Sequence, residues 1–132
     1  ILAVANATIP GDLPGLNLLE NLKKNSAIER KGVFGESFAH DIADVDKPEA
    51  SLLFRWRIEG KWKLLLTYDG EVNRYKSTHP RTEKRPQLFD LSQDPHEKKN
   101  LAGEHPEVVA DLATKIADWY PVKERKVLTK FN

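Results

Sequence analysis

Four side chains stand out as able to do chemistry. His40 and Asp41 are neighbours at the end of an apolar run, and Arg55 and Arg57 lie two apart in a strand-like segment. A carboxylate beside an imidazole can orient it for proton transfer or ligand contact. The same pair also arises as an ordinary surface feature at a strand end. Two guanidinium groups on one strand face, with Lys63 on the next strand, suit sulfate, phosphate or carboxylate groups. The favoured reading pairs them instead with Glu36, Glu59 or acids of another domain. Asp41, Asp44 and Asp46 form an oxygen-rich run of the kind that can hold calcium. The run lacks the central glycine and distal glutamate of an EF-hand loop, so it reads as a solvated acidic loop. His79, His96 and His105 fall in loops or at a helix start, where turn or capping roles are expected. There is no glycine-rich phosphate loop, zinc motif or nucleophile elbow, so no catalytic or metal-binding residue is assigned.

These residues need a scaffold, and the spacing predicts one. Residues 51–59 alternate, with Leu52, Phe54, Trp56 and Ile58 on one face and Leu53, Arg55, Arg57 and Glu59 on the other. Gly60-Lys61 reads as a two-residue hairpin connection to a return strand near 62–69, where Trp62, Leu64, Leu66 and Tyr68 share a face. The aromatic residues Phe54, Trp56, Trp62 and Tyr68 are expected together on the buried face. A strand near 33–40 precedes this hairpin and one near 87–91 follows it. Between them lies a long basic-leaning loop, 71–86, of a length often associated with function or mobility.

A helix near 106–120 opens at Pro106 and carries Val108, Val109, Leu112, Ile116 and Trp119 as one apolar stripe. Pro121 ends it. The expected fold is therefore α+β: about four antiparallel strands packed against one C-terminal helix. Residues 1–28, punctuated by Pro10-Gly11 and Pro14-Gly15, read as a connecting segment. Residues 29–121 form the α+β domain, and 122–132 are a basic tail.

Charged residues are 31% of the 132, yet the net charge is +1, which argues against a nucleic-acid binder. The chain has no cysteine, so disulfides, thiolate metal sites and thiol nucleophiles are excluded while the compartment stays open. No run has the length of a membrane span, and the start lacks the basic n-region of a signal peptide. Methionine is absent even from position 1, so the chain is expected to be a piece of a longer protein.

The order of these motifs resembles the carboxy-terminal end of sulfatases. Leu88, Phe89, Asp90, Leu91, Asp94, Pro95, Glu97, Asn100 and Leu101 match the family's Leu-Tyr/Phe-Asp-Leu strand and its Asp-Pro-x-Glu-x-x-Asn-Leu turn, and a terminal helix follows. Gly60-Lys61-Trp62-Lys63-Leu64 resembles its Gly-x-Trp-Lys hairpin. Ile9-Pro10 through Leu19 resembles the segment leaving the catalytic domain, and Gly35 through Asp41, after Arg30, resembles the first strand beyond it. The pattern is nearest to heparan N-sulfatase-like and arylsulfatase A-like enzymes.

The resemblance implies a parent that hydrolyses sulfate esters or sulfamates, on sulfated glycans such as heparan sulfate. It implies a formylglycine, made from a Cys/Ser-x-Pro-x-Arg motif, and calcium. Both belong to a catalytic domain outside these residues. Ser77-Thr78-His79-Pro80-Arg81 sets proline and arginine adjacent and does not fit that motif. The chain is expected to be inactive alone and to pack on the parent's catalytic domain, in a periplasmic or secreted enzyme. His40, Asp41 and the 71–86 loop then become substrate-side candidates. The alternatives are a stand-alone module that grips an anionic glycan through Arg55 and Arg57, and an interaction module that dimerises through the apolar residues of 1–22.

Overall fold

The computed structural model describes residues 1–13, 15–40, 44–68 and 83–119. The chain divides into two compact units, Ile1–Arg30 and Lys31–Asn132.

In the first unit, Leu18–Lys24 forms a seven-residue helix, α1. The Asn17 side chain accepts a hydrogen bond from the Leu19 amide and so caps its N-terminus. Asn25, at φ 48°, closes the C-terminus in the left-handed region that asparagine tolerates. No residue of α1 is buried, and Leu18 and Leu22 are exposed. Ile1, Leu2, Ile9, Leu13 and Leu16 line an open apolar concavity of about 450 Å³ within this unit.

The second unit is the α+β fold. Its strands are β1 (Val33–Phe38), β2 (Leu52–Glu59), β3 (Trp62–Thr67) and β4 (Gln87–Asp90), followed by α2 (Pro106–Trp119). A 3-10 turn at Pro48–Ser51 leads into β2. The strands pair antiparallel in the order β1-β2-β3-β4, each beside its neighbour in sequence. Much of the 71–86 loop, the segment from Asp41 to Ala43 and the basic tail lie outside the described residues.

The hairpin register decides what α2 covers. Gly60 has φ +56° and Lys61 does not share a positive φ, a pattern suited to a tight two-residue turn with glycine at the first central position. Such a turn pairs Glu59 with Trp62, Arg57 with Leu64 and Arg55 with Leu66. Cross-strand partners share a face, so the arginines lie on the same side as the core leucines. The core cluster comprises Leu52, Leu64, Leu66, Tyr68, Leu88, Leu112 and Ile116, with Phe34, Trp62, Val108 and Val109 packed around it.

Phe54, Trp56 and Ile58 therefore face away from α2, on the side of Lys63 and Leu65, and are half-buried. This corrects the expectation that Phe54 and Trp56 share the helix-covered face with Trp62 and Tyr68. The reason is geometric: apolar alternation shows which residues of one strand belong together, but the turn determines which set meets the helix.

The string from Leu88 to Leu101 is a framework of hydrogen bonds. Asp90 accepts from the Lys61 ammonium at 2.7 Å and from the Ser92 hydroxyl at 2.6 Å. Asp94 accepts from the amides of Lys98 and Lys99 and closes the turn. Glu97, at φ +55°, sends its carboxylate to Lys63 at 2.7 and 2.8 Å. Asn100 Oδ1 accepts from the amides of Leu88 and Ala102, its amide nitrogen donates to the Pro86 carbonyl, and the Leu101 amide donates to the Leu88 carbonyl. Asn100 and Leu101 thus occupy the outer edge of β4, where backbone groups would otherwise lack strand partners.

Leu112 and Ile116 are the fully buried members of the α2 stripe. Ile116→Ala should lower unfolding stability by about 2–5 kcal/mol, through lost apolar contact and the cavity left behind, as read by urea denaturation. Val108→Ala, at a half-buried position, should cost clearly less.

Candidate functional site

The two candidate anion-contacting arginines are under α2. Arg55 is 1% exposed and Arg57 6%. Arg55 Nη2 donates to the Ile116 carbonyl at 2.8 Å, near the C-terminal end of α2, where unpaired carbonyls and the helix dipole favour a cation. Its Nε lies 3.9 Å from Glu36 Oε2, and its guanidinium sits 5.6 Å from the centre of a Trp119 ring. The Trp119 ring in turn stacks on Phe34, with centroids 4.8 Å apart.

Arg57 lies over Phe34 at 4.2 Å and donates to Glu59. Glu59 also accepts from Lys115 of α2 at 2.8 Å, and Lys115 contacts Asp111 one turn earlier. The Lys115 hydrogen bond, followed by that of Arg57, holds the Glu59 carboxyl below its ordinary pKa. Pairing with Glu36 and Glu59 is thus what the geometry supports for these arginines. Lys63 is not their neighbour: it pairs with Ile58 across the hairpin and lies on the opposite face.

His40 is exposed just beyond β1, after the Ala39 amide donates to the Ser51 carbonyl. Asp41 lies outside the described residues, as does His79. His96 is exposed. His105 opens α2 and tilts against Trp62, with ring centroids 4.9 Å apart and planes at 54°. Among the described residues, no three His, Cys, Asp or Glu side chains converge as a metal site would require. No helix there is long and apolar enough to cross a membrane.

Sequence reading missed the Glu59–Lys115 link and the role of Trp56. The first had a signal: Lys115 lies on the flank of the α2 stripe, one position before Ile116. The second had one too, in Gly35. A Cβ there would come within 2.0 Å of the Trp56 ring, so the indole lies flat across the glycine.

The comparisons with known proteins fall on this fold. No protein-family model matches the chain. It is related in sequence to sulfatases, and it is consistent with a sulfatase C-terminal domain. It is 40% identical over 57 residues to an N-acetylgalactosamine-6-O-sulfatase of Bacteroides thetaiotaomicron, which covers 42% of this chain and 11% of that protein. It is 30% identical over 118 residues to arylsulfatase K of Mus musculus, covering 88% of this chain and 19% of that one.

A solved structure described under the metabolism of multiple glycosaminoglycans by Bacteroides thetaiotaomicron aligns with TM-score 0.61 at 25% identity, over 89% of this chain and 22% of its own. Another, of a protein in complex with its substrate D-glucosamine-2-N,6-O-disulfate, aligns with TM-score 0.60 at 18% identity over the same shares, a likeness of fold. The chain thus spans between about a tenth and a fifth of the length of the curated relatives it matches.

Two outcomes follow from this geometry. Arg55→Ala should destabilise the fold by about 3–5 kcal/mol, because it leaves Glu36 and the α2 carbonyl without their buried cation. Arg55→Lys should recover only part of that loss, since an ammonium lacks the planar fork. Denaturant titration reads both.

The second concerns acid. Lys61, then Ser92, lower the Asp90 carboxyl from 3.8 to about 2. A depressed folded-state value means its contribution is present above the unfolded value and lost as pH falls through the folded one. Thermal stability should therefore decline from about pH 4 toward pH 2, and Asp90→Asn should flatten that part of the profile.

Proposed function

We propose that the chain is the C-terminal unit of a larger sulfatase that removes sulfate from a sulfated glycan, and that it packs on that enzyme's catalytic domain. The observation that carries this reading is the agreement between sequence and fold. The arylsulfatase K match extends over 88% of the chain, and the glycosaminoglycan-metabolism structure aligns over 89% of it. The names of the relatives support a glycan as the sulfate carrier.

In this reading the chain supplies scaffold rather than reacting groups. Its sequence contains no Cys/Ser-x-Pro-x-Arg motif to yield a formylglycine. That nucleophile, and the calcium that accompanies it, would belong to the catalytic domain. His40 and Asp41 are the substrate-side candidates in this reading; His40 is exposed just beyond β1 rather than lying under α2. Arg55 and Arg57 act on the substrate region only indirectly, by holding α2 to the sheet. Their burial also weighs against the alternative of an independent glycan-binding module built on those two arginines.

The 132-residue chain, assayed with 6-O-sulfated glucosamine and galactosamine derivatives, should release no sulfate. The longer protein encoded by the surrounding reading frame should release it, and it should lose that activity when its Cys/Ser-x-Pro-x-Arg nucleophile is changed to alanine. Sulfate release by the isolated chain, or a longer protein without such a motif, would sink the proposal.

A further inference from the structure

The sheet has two faces, and α2 covers one. On the other, the central strand β2 presents Phe54, Trp56 and Ile58, flanked by Leu65 of β3 and Val33 of β1. A sheet face turned permanently to water normally alternates to polar residues there. This one does not. Toward β4 the face is already closed, with Thr67 and Phe89 buried and the Lys63–Glu97 pair beside them. Toward β1 it stays open: Trp56, Ile58 and Leu65 are half-buried and Val33 is 39% exposed.

Trp56 is also held in place before any partner arrives. Its ring lies over Gly35, where even a methyl group would collide with it. A large aromatic fixed in one rotamer loses little side-chain entropy on docking, which is what a central interface anchor needs.

We propose that this stripe is an interdomain docking surface whose occupant is the remaining polypeptide of the larger sulfatase, meeting it with an apolar face. The proposal rests on the functional reading above. What identifies the occupant is length. The parts of arylsulfatase K and of the glycosaminoglycan-metabolism structure that align with nearly all of this chain are 19% and 22% of those polypeptides, and in the solved structure the same fold is joined to a much larger body. Beside the stripe the Lys63 charge is matched by Glu97, which suits an apolar rather than an ionic partner there.

Hydroxyl-radical footprinting read by mass spectrometry tests this without any substitution, by comparing the 132-residue chain with the longer protein from its reading frame. Oxidation of Trp56 should fall about fivefold or more in the longer protein, as expected for an anchor shielded from water. Trp119, 45% exposed at the end of α2, should change much less. Unchanged Trp56 labelling overturns the docking surface, as does equal protection of Trp56 and Trp119.

Sulfate release, measured on the same longer protein, separates the two proposals. Activity with an unprotected Trp56 leaves the sulfatase reading standing and removes the docking face. A protected Trp56 without activity does the reverse. A reading frame confined to these 132 residues overturns both.

Discussion

Much of this fold depends on a two-residue turn. Gly60, in the left-handed region, closes β2 onto β3 so that Glu59, Arg57 and Arg55 stand opposite Trp62, Leu64 and Leu66. A shift of one residue would turn every side chain of β2 to the other face. The register brings two guanidinium groups beneath a helix, an arrangement that is costly unless each charge finds partners. Arg55 meets the C-terminal end of α2 and Glu36, and Arg57 meets Glu59, which also holds Lys115 of α2. The charged groups therefore fasten the helix at the adjacent residues Lys115 and Ile116, while the Leu112 and Ile116 side chains supply its buried apolar contact.

The segment from Leu88 to Leu101 works by related means at the other edge of the sheet. Its polar residues are taken up by backbone groups and neighbouring side chains: Asp94 by turn amides, Asn100 by the margin of β4, Glu97 by Lys63 and Asp90 by Lys61. That explains why a string with the look of a functional signature contains no reacting group. It identifies a kind of fold because it builds one. The sulfatase relationship is therefore carried by scaffold residues, and the chemistry expected of a sulfatase requires groups that this chain does not supply.

The two faces of the sheet have different tasks. The α2 side is a completed core, with ion pairs closing it against water. The opposite side is apolar, and toward β1 it is only half-covered, with Trp56 laid across Gly35. Arg55 and Arg57, candidates for anion contact, fall on the closed side, and Phe54 and Trp56, which sequence reading would assign to the interior, fall on the other. Interaction with anything larger is thus expected where the aromatic stripe is, rather than where the arginines are.

The sequence by itself determined the elements. Period-two alternation, the helical stripe and the Gly, Pro and Asp punctuation located β2, β3, β4 and α2 to within a residue or two, because these signals are local and each reflects the chain's own geometry. The ordered motifs were also legible as sulfatase-like. Only the tertiary structure decided which face of β2 receives the helix. Alternation treats Arg55 and Arg57 as surface residues, since a charge in isolation belongs in water. Whether an arginine can be buried depends on groups far away in the chain: the carbonyl of Ile116, sixty-one residues on, and the carboxylate of Glu36. Such long-range compensation has no periodic trace in the sequence, and it is what makes this strand face part of the core.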